Sequence, residues 1–173
     1  MEGVTAELHR LASAGIDIEG LQSNDQFISA VMQATVIAQR THRQEKLNAL
    51  RNALLNIATG QAPDEALQSI FLNFVDVFTD WHIKLLRLAQ HPTATGEMTE
   101  LHQVLEHTYP QLKGHREVYD AVWSDLSSKA LVSLQSVHGE LSSHQTLVDK
   151  WTTPLGDLFL KFIAAPILKP KGY

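Results

Sequence analysis

The side chains with the most chemistry to offer are nine histidines and the carboxylates near them. His82 follows Asp76 and Asp80 closely, the composition of a general base oriented by an acid. The same spacing suits a histidine that hydrogen-bonds a helix start while Trp81 fills the core. His102 and Glu106 stand four apart on one helical face and can offer a metal ion two ligands. His138 and His144 flank a polar loop, and no spacing supplies a third ligand. The serines lack a G-x-S-x-G elbow, and neither an H-E-x-x-H pair nor a glycine-rich phosphate loop occurs. Cysteine is absent, which excludes thiolate catalysis, disulfides and cysteine-ligated metal sites. The expectation is a protein that is not an enzyme and uses no cofactor.

Cations form two further groups. Arg40, Arg43, Lys46 and Arg51 surround one junction and the helix after it, opposed by Glu45, and offsets of 3 and 11 bring the arginines largely to one side. They suit phosphates or an acidic partner, or simply a solvated helix face. His115, Arg116, Asp120, Lys129 and Lys150 lie on or near a later helix and the loop beyond it. Glu117, Asp120 and Asp125 there outnumber Arg116 and Lys129, which disfavours a polyanion. Net charge is −5, and residues 1–78 carry 5 Lys/Arg against 9 Asp/Glu, residues 79–166 carry 7 against 10. A protein partner therefore fits these surfaces better than nucleic acid.

These side chains need elements to hold them. Val4, Leu8 and Leu11 suggest a short helix over 4–14, broken by Gly15 and Gly20. Asn24 or Ser23 caps the next, with Phe27, Ile28, Val31 and Ala38 on its inner face. Thr41-His-Arg-Gln44 matches a capping box, so a helix either starts there or continues, and Gly60 ends it. Pro63-Asp64-Glu65 opens the strongest helical pattern, Leu67, Ile70, Phe71, Phe74, Val75 and Phe78, expected to be a central core helix. Helices follow from Thr79 or Asp80 to His91-Pro92, over 97–107, and from His115 to about Ala130. Leu131 to Val137 and Gln145 to Trp151 read as two strands joined by a polar tip at 139–144. Thr152 or Thr153 then caps a last helix whose inner face holds Leu155, Leu158, Phe159, Phe162 and Ile163.

The stretch Leu126-Ser-Ser-Lys-Ala130-Leu131-Val132, with Thr152-Thr-Pro-Leu-Gly156 some twenty residues on, resembles the wing-flanking motifs of MarR-like and PadR-like winged-helix domains. Those families carry glycine where Ala130 stands. The resemblance implies a winged-helix lobe over about 80–163 and, as its associated function, a dimeric DNA-binding regulator. Arg40, Thr41 and Lys46, with Thr79, His82, Ile83 and Leu86, are similar to motifs of a family of short bacterial helical proteins, a likeness that implies no activity.

Together these readings give a mostly α protein, with an N-terminal helical assembly lobe (1–78) packed on a winged-helix-like lobe (79–166) that carries a small β-hairpin, and a tail over 167–173. The helical lobe has more apolar face than three helices can hide, so a homodimer or tight hetero-complex is expected. The functional expectation is a non-enzymatic adaptor or regulatory subunit, with a DNA-binding regulator as the alternative. No apolar run reaches the ~18 residues of a membrane span, and the start lacks a secretory pattern, so a cytoplasmic location is expected.

Overall fold

The computed structural model describes residues 17–93, 98, 100–133, 137 and 150–167. Eight α-helices account for most of them. They are α1 (Ile18–Leu21), α2 (Asp25–Gln39), α3 (Gln44–Ala58), α4 (Glu65–Val77), α5 (Asp80–Gln90), α6 (Leu101–Thr108), α7 (Arg116–Ser128) and α8 (Pro154–Phe162), with a 3-10 turn at Pro110–Leu112. The chain divides into two units, Met1–Val77 with Phe162–Tyr173, and Phe78–Lys161. The helix expected over 4–14, the polar tip at 139–144, residues 134–136 and 145–149 of the two strands expected to flank it, and the tail beyond 167 lie outside the described residues.

In the first unit, local chemistry sets the helix starts. The Asn24 side chain accepts from Phe27 N–H (2.9 Å) to open α2, and Asp64 accepts from Leu67 N–H (3.1 Å) to open α4. The capping box expected at Thr41 does not form, because Arg43 is the N-cap and Thr41 Oγ1 accepts from Arg43 N–H (3.2 Å). A break over residues 40–43 therefore separates α2 from α3. Gly60, at φ 68, ends the run after α3 in the left-handed conformation that glycine adopts without a Cβ clash. The three long helices pack on one another through Ala30, Ala34 and Ile37 of α2, Ala49 and Ala53 of α3, and Phe71, Leu72 and Val75 of α4. Alanines on facing helices let the backbones approach closely. Phe71 also meets Phe162 at 5.6 Å between ring centroids. Buried Asn56 donates through Nδ2 to the carbonyls of Phe162 and Ala164, both at 2.8 Å, satisfying acceptors that a helix end leaves open.

In the second unit, α5 packs against α7, and Ile83, Leu85, Leu86, Trp123 and Leu126 are buried. Helix α7 ends in a Schellman motif, with Ala130 N–H donating to Ser127 O (2.9 Å) and Leu131 N–H to Leu126 O (3.0 Å). That motif needs a left-handed residue, and Ala130 takes the position at φ 55. The turn thus forms without the glycine that the winged-helix families carry there. Ala130→Gly should relieve about 1–2 kcal/mol of left-handed strain, against about 0.5–1 kcal/mol of added unfolded-state entropy. The expected net gain is about 0.5–1 kcal/mol, read as a higher urea midpoint at unchanged slope.

The winged-helix expectation is overturned. Among the described residues there is no strand or sheet, and where a β-hairpin was expected Val132 and Thr152 form an isolated antiparallel bridge. Ser133 N–H reaches Trp151 O (2.8 Å) and Thr153 N–H reaches Leu131 O (3.1 Å), the main-chain pairing across this bridge among the described residues. The Trp151 N–H turns away to Ala89 O of α5 (2.8 Å), α7 ends just before the bridge, and α8 begins at Pro154 just after it. Among the described main-chain groups here, the Trp151 N–H is spent on α5 and the Leu131 N–H on the end of α7. No helix among the described residues is long and apolar enough to cross a membrane.

Candidate functional site

His82 is the third residue of α5, and its ring closes the helix start. Nδ1 accepts from Thr79 N–H (3.1 Å) and lies 2.9 Å from Thr79 Oγ1. A backbone N–H can only donate, so Nδ1 is unprotonated, and the neutral ring carries its proton on Nε2. That nitrogen faces Asp125 Oδ2 at 3.1 Å. The acid that orients His82 is therefore Asp125 on α7, in place of the Asp76 or Asp80 suggested by proximity in sequence. Phe78 stacks on the imidazole at 4.7 Å and 9°. Hydroxyl, imidazole and carboxylate in this order have the composition of a nucleophilic triad. The lone pair that would take the Thr79 proton is already engaged by Thr79's own N–H, so the arrangement works as a helix cap tied to α7.

Asp125 also accepts from Lys129, one turn along α7. Burial opposes its ionisation, but the Lys129 hydrogen bond and charge, with His82, outweigh burial and hold the carboxyl below its usual value. Asp157 behaves alike. Burial is opposed by hydrogen bonds from Lys150, Thr152 and Gln90, which keep its pKa depressed. Arg116 pairs with Asp120 along α7 at 3.3 Å. Arg116, Lys129 and Lys150, expected to face a partner, each hold a carboxylate of the same unit, and His115 is the N-cap residue of α7. Asp157 escaped the sequence reading because its three donors come from positions 90, 150 and 152.

The metal pair does not assemble. Glu106 accepts from the Tyr119 hydroxyl at 3.1 Å, and His102 Nδ1 lies 3.0 Å from Glu100 instead. Burial, then the Glu106 carboxylate, push the Tyr119 hydroxyl up to about 12, so it stays a donor. His138 and His144 lie outside the described residues. Among the described residues, no group of three His, Asp or Glu side chains is placed to hold a metal.

Two cations of the basic junction are paired within the first unit. Arg40 bonds Asp76 at 3.1 Å, and Lys46 Nζ donates to the Asp76 carbonyl at 2.6 Å, a cation on the negative end of α4. Arg43 and Arg51 are exposed. These contacts bring the C-terminal end of α2 beside that of α4.

What stands exposed in this unit is apolar. Ile28 (39%), Met32 (66%) and Val36 (53%) on α2, with Ile70 (44%) and Val77 (59%) on α4, face solvent. The sequence reading placed Ile28 on the inner face of α2 and Ile70 in the core stripe of α4, and both are corrected. Apolar residues surround almost the whole of α2, so its pattern does not single out one face. The core took the side with small residues at i and i+4, Ala30 and Ala34. The cleft between α2 and α4, lined by Ser29, Gln33, Glu65 and Ser69, lies beside the exposed residues. A second cavity of about 450 Å³ lies at the helix starts, lined by Asn24, Phe27, Asp64, Glu65 and Gln68.

This outer face of α2 and α4 is the candidate functional site, since among the described residues the clusters around His82, Asp125, Asp157 and Asp76 are occupied by helix capping and intramolecular pairing. No protein-family model, curated protein or solved structure matches the chain.

Proposed function

We propose that the chain is a non-enzymatic adaptor or regulatory subunit that acts by binding a protein through the outer face of α2 and α4. The observation carrying this reading is the stripe Ile28, Met32, Val36 on α2, exposed along more than two helical turns. A helix apolar on most of its sides is normally buried on most of them, and exposed apolar patches of this kind mark interaction surfaces. Between Asp25 and Arg40, and between Glu65 and Asp76, no residue is charged. A charge-depleted centre with charged ends is the make-up of a protein interface core and rim. A polyanion has little to grip here or on α7, where Arg116 and Lys129 neutralise Asp120 and Asp125.

The test compares wild-type chain and Met32→Glu after gentle purification from cells that produce them, with quantitative mass spectrometry of whatever co-purifies in stoichiometric amount. The expected result is at least a roughly tenfold drop in every such association, with self or with another protein, because a carboxylate in the middle of a desolvated core is a hot-spot disruption. Associations that survive Met32→Glu undiminished overturn the reading.

A further inference from the structure

Resting on that reading, the geometry points to a second copy of this chain as the protein that covers the face. We propose that two copies pair about a two-fold axis that crosses both helices, with α2 antiparallel on α2 of its mate and α4 antiparallel on α4.

Three observations carry this. The first is that α2 and α4 run in the same direction. Their starts share a cavity through Asn24, Phe27, Asp64 and Glu65, and their ends meet through the Arg40–Asp76 pair. At about 100° per residue, Ile28, Met32 and Val36 fall within an arc of about 80° on α2, roughly opposite Ala30, Ala34 and Ile37. Ile70 and Val77 fall within about 20° of each other on α4, on the side away from Phe71 and Val75. On either side of the cleft lined by Ser29, Gln33 and Ser69, the two apolar ridges face the same way.

The second observation is size. Helices of fifteen and thirteen residues are about 20 Å long and pack about 10 Å apart, so they span a face of the class that contributes about 800 Å² per partner to a standard interface.

The third is charge, which selects the symmetry. Asp25, Asp64 and Glu65 sit at one end of the face. Arg40 and Arg43 sit at the other, partly offset by Asp76 and Glu45, with Lys46 behind them on the Asp76 carbonyl. A two-fold axis parallel to the helices brings like ends together. An axis across them lays the acidic end of each copy on the basic end of the other and opposes the helix dipoles. Residues 24 and 64 lie at one level and 40 and 76 at another, so Met32 and Ile70 stand near one level, at mid-face. Each then meets its own equivalent across the axis.

A chain without cysteine offers a clean test. In light scattering at tens of micromolar, purified wild-type chain is expected at about twice the 19.3 kDa chain mass. Met32→Cys, on the axis, is expected to form a disulfide-linked dimer under mild oxidation, because equivalent positions on helices packed this closely meet the Cβ spacing of about 3.5–4.5 Å. Ser124→Cys, exposed on α7, is expected to give none under the same conditions. Met32→Glu is expected to raise the dimer dissociation constant at least about 100-fold with an unchanged circular dichroism spectrum.

A wild-type monomer at these concentrations overturns the proposal. So does a dimer that Met32→Glu leaves intact, or one whose Met32→Cys form does not cross-link. If the chain alone is monomeric while Met32→Glu loses a different protein, the second copy is wrong and the face remains a binding site. Loss of both results removes the functional reading as well.

Discussion

Gly156→Ala is expected to destabilise the second unit by about 3 kcal/mol, although alanine is the better helix former. Gly156 lies in the first turn of α8, where alanine alone would gain about 1 kcal/mol from propensity. A Cβ added there would stand 2.2 Å from the Leu131 carbonyl oxygen and 3.1 Å from its carbon. Those atoms are backbone, so no rotamer change clears them. Leu131 is held by its own N–H on Leu126 O and by Thr153 N–H on its carbonyl. Making room means moving α8 off the turn after α7, which strains the Thr153 bonds to Leu131 O and Ala130 O (2.6 Å) and the Val132–Thr152 bridge. Urea unfolding followed by tryptophan fluorescence should show a lower midpoint, because Trp123 and Trp151 are buried in this unit. An alanine variant as stable as wild type would mean that α8 does not approach Leu131 this closely.

Trp151→Ala is expected to cost about 3–5 kcal/mol, the range for deleting a buried tryptophan. Trp151 is fully buried, and its main chain ties three segments together, with N–H to Ala89 O, and carbonyl to Ser133 N–H (2.8 Å) and to Ser133 Oγ–H (3.0 Å). Alanine keeps those backbone bonds and leaves a cavity among the surrounding side chains. Trp151→Phe is expected to cost clearly less. The indole N–H has no hydrogen-bond partner among the described residues, and phenylalanine removes that unsatisfied donor along with part of the volume. Calorimetry on both variants checks the order, and equal losses for alanine and phenylalanine would contradict it.

Both positions show how local and tertiary information divide. The Thr152-Thr-Pro-Leu-Gly156 motif marked a helix start, and Thr153 Oγ1 does accept from Gly156 N–H at 3.1 Å. Capping acts over three residues, so sequence resolves it. Why position 156 is glycine lies 25 residues upstream, in the Leu131 carbonyl. Trp151 reads as the end of a strand by its alternating neighbours, yet its N–H belongs to a helix carbonyl at position 89. His82 likewise was recognisable as a helix-start histidine, while its acid, Asp125, is brought to it only by the packing of α5 on α7.

The sequence by itself determined the helices from α2 to α8, several of their caps, and the core role of Phe71 and Val75, because these depend on residues within about one helical turn of each other. It missed α1, which lies where Gly15 and Gly20 suggested a break. Only the tertiary structure decided which side of α2 is buried, which cations are consumed by carboxylates, and that the segments around Val132 and Thr152 meet in a bridge where a hairpin was expected. Each of those outcomes depends on competition between partners distant in the chain. For α2, apolar on nearly all sides, that competition went to the two alanines that allow the closest packing, and Ile28, Met32 and Val36 were left facing outward.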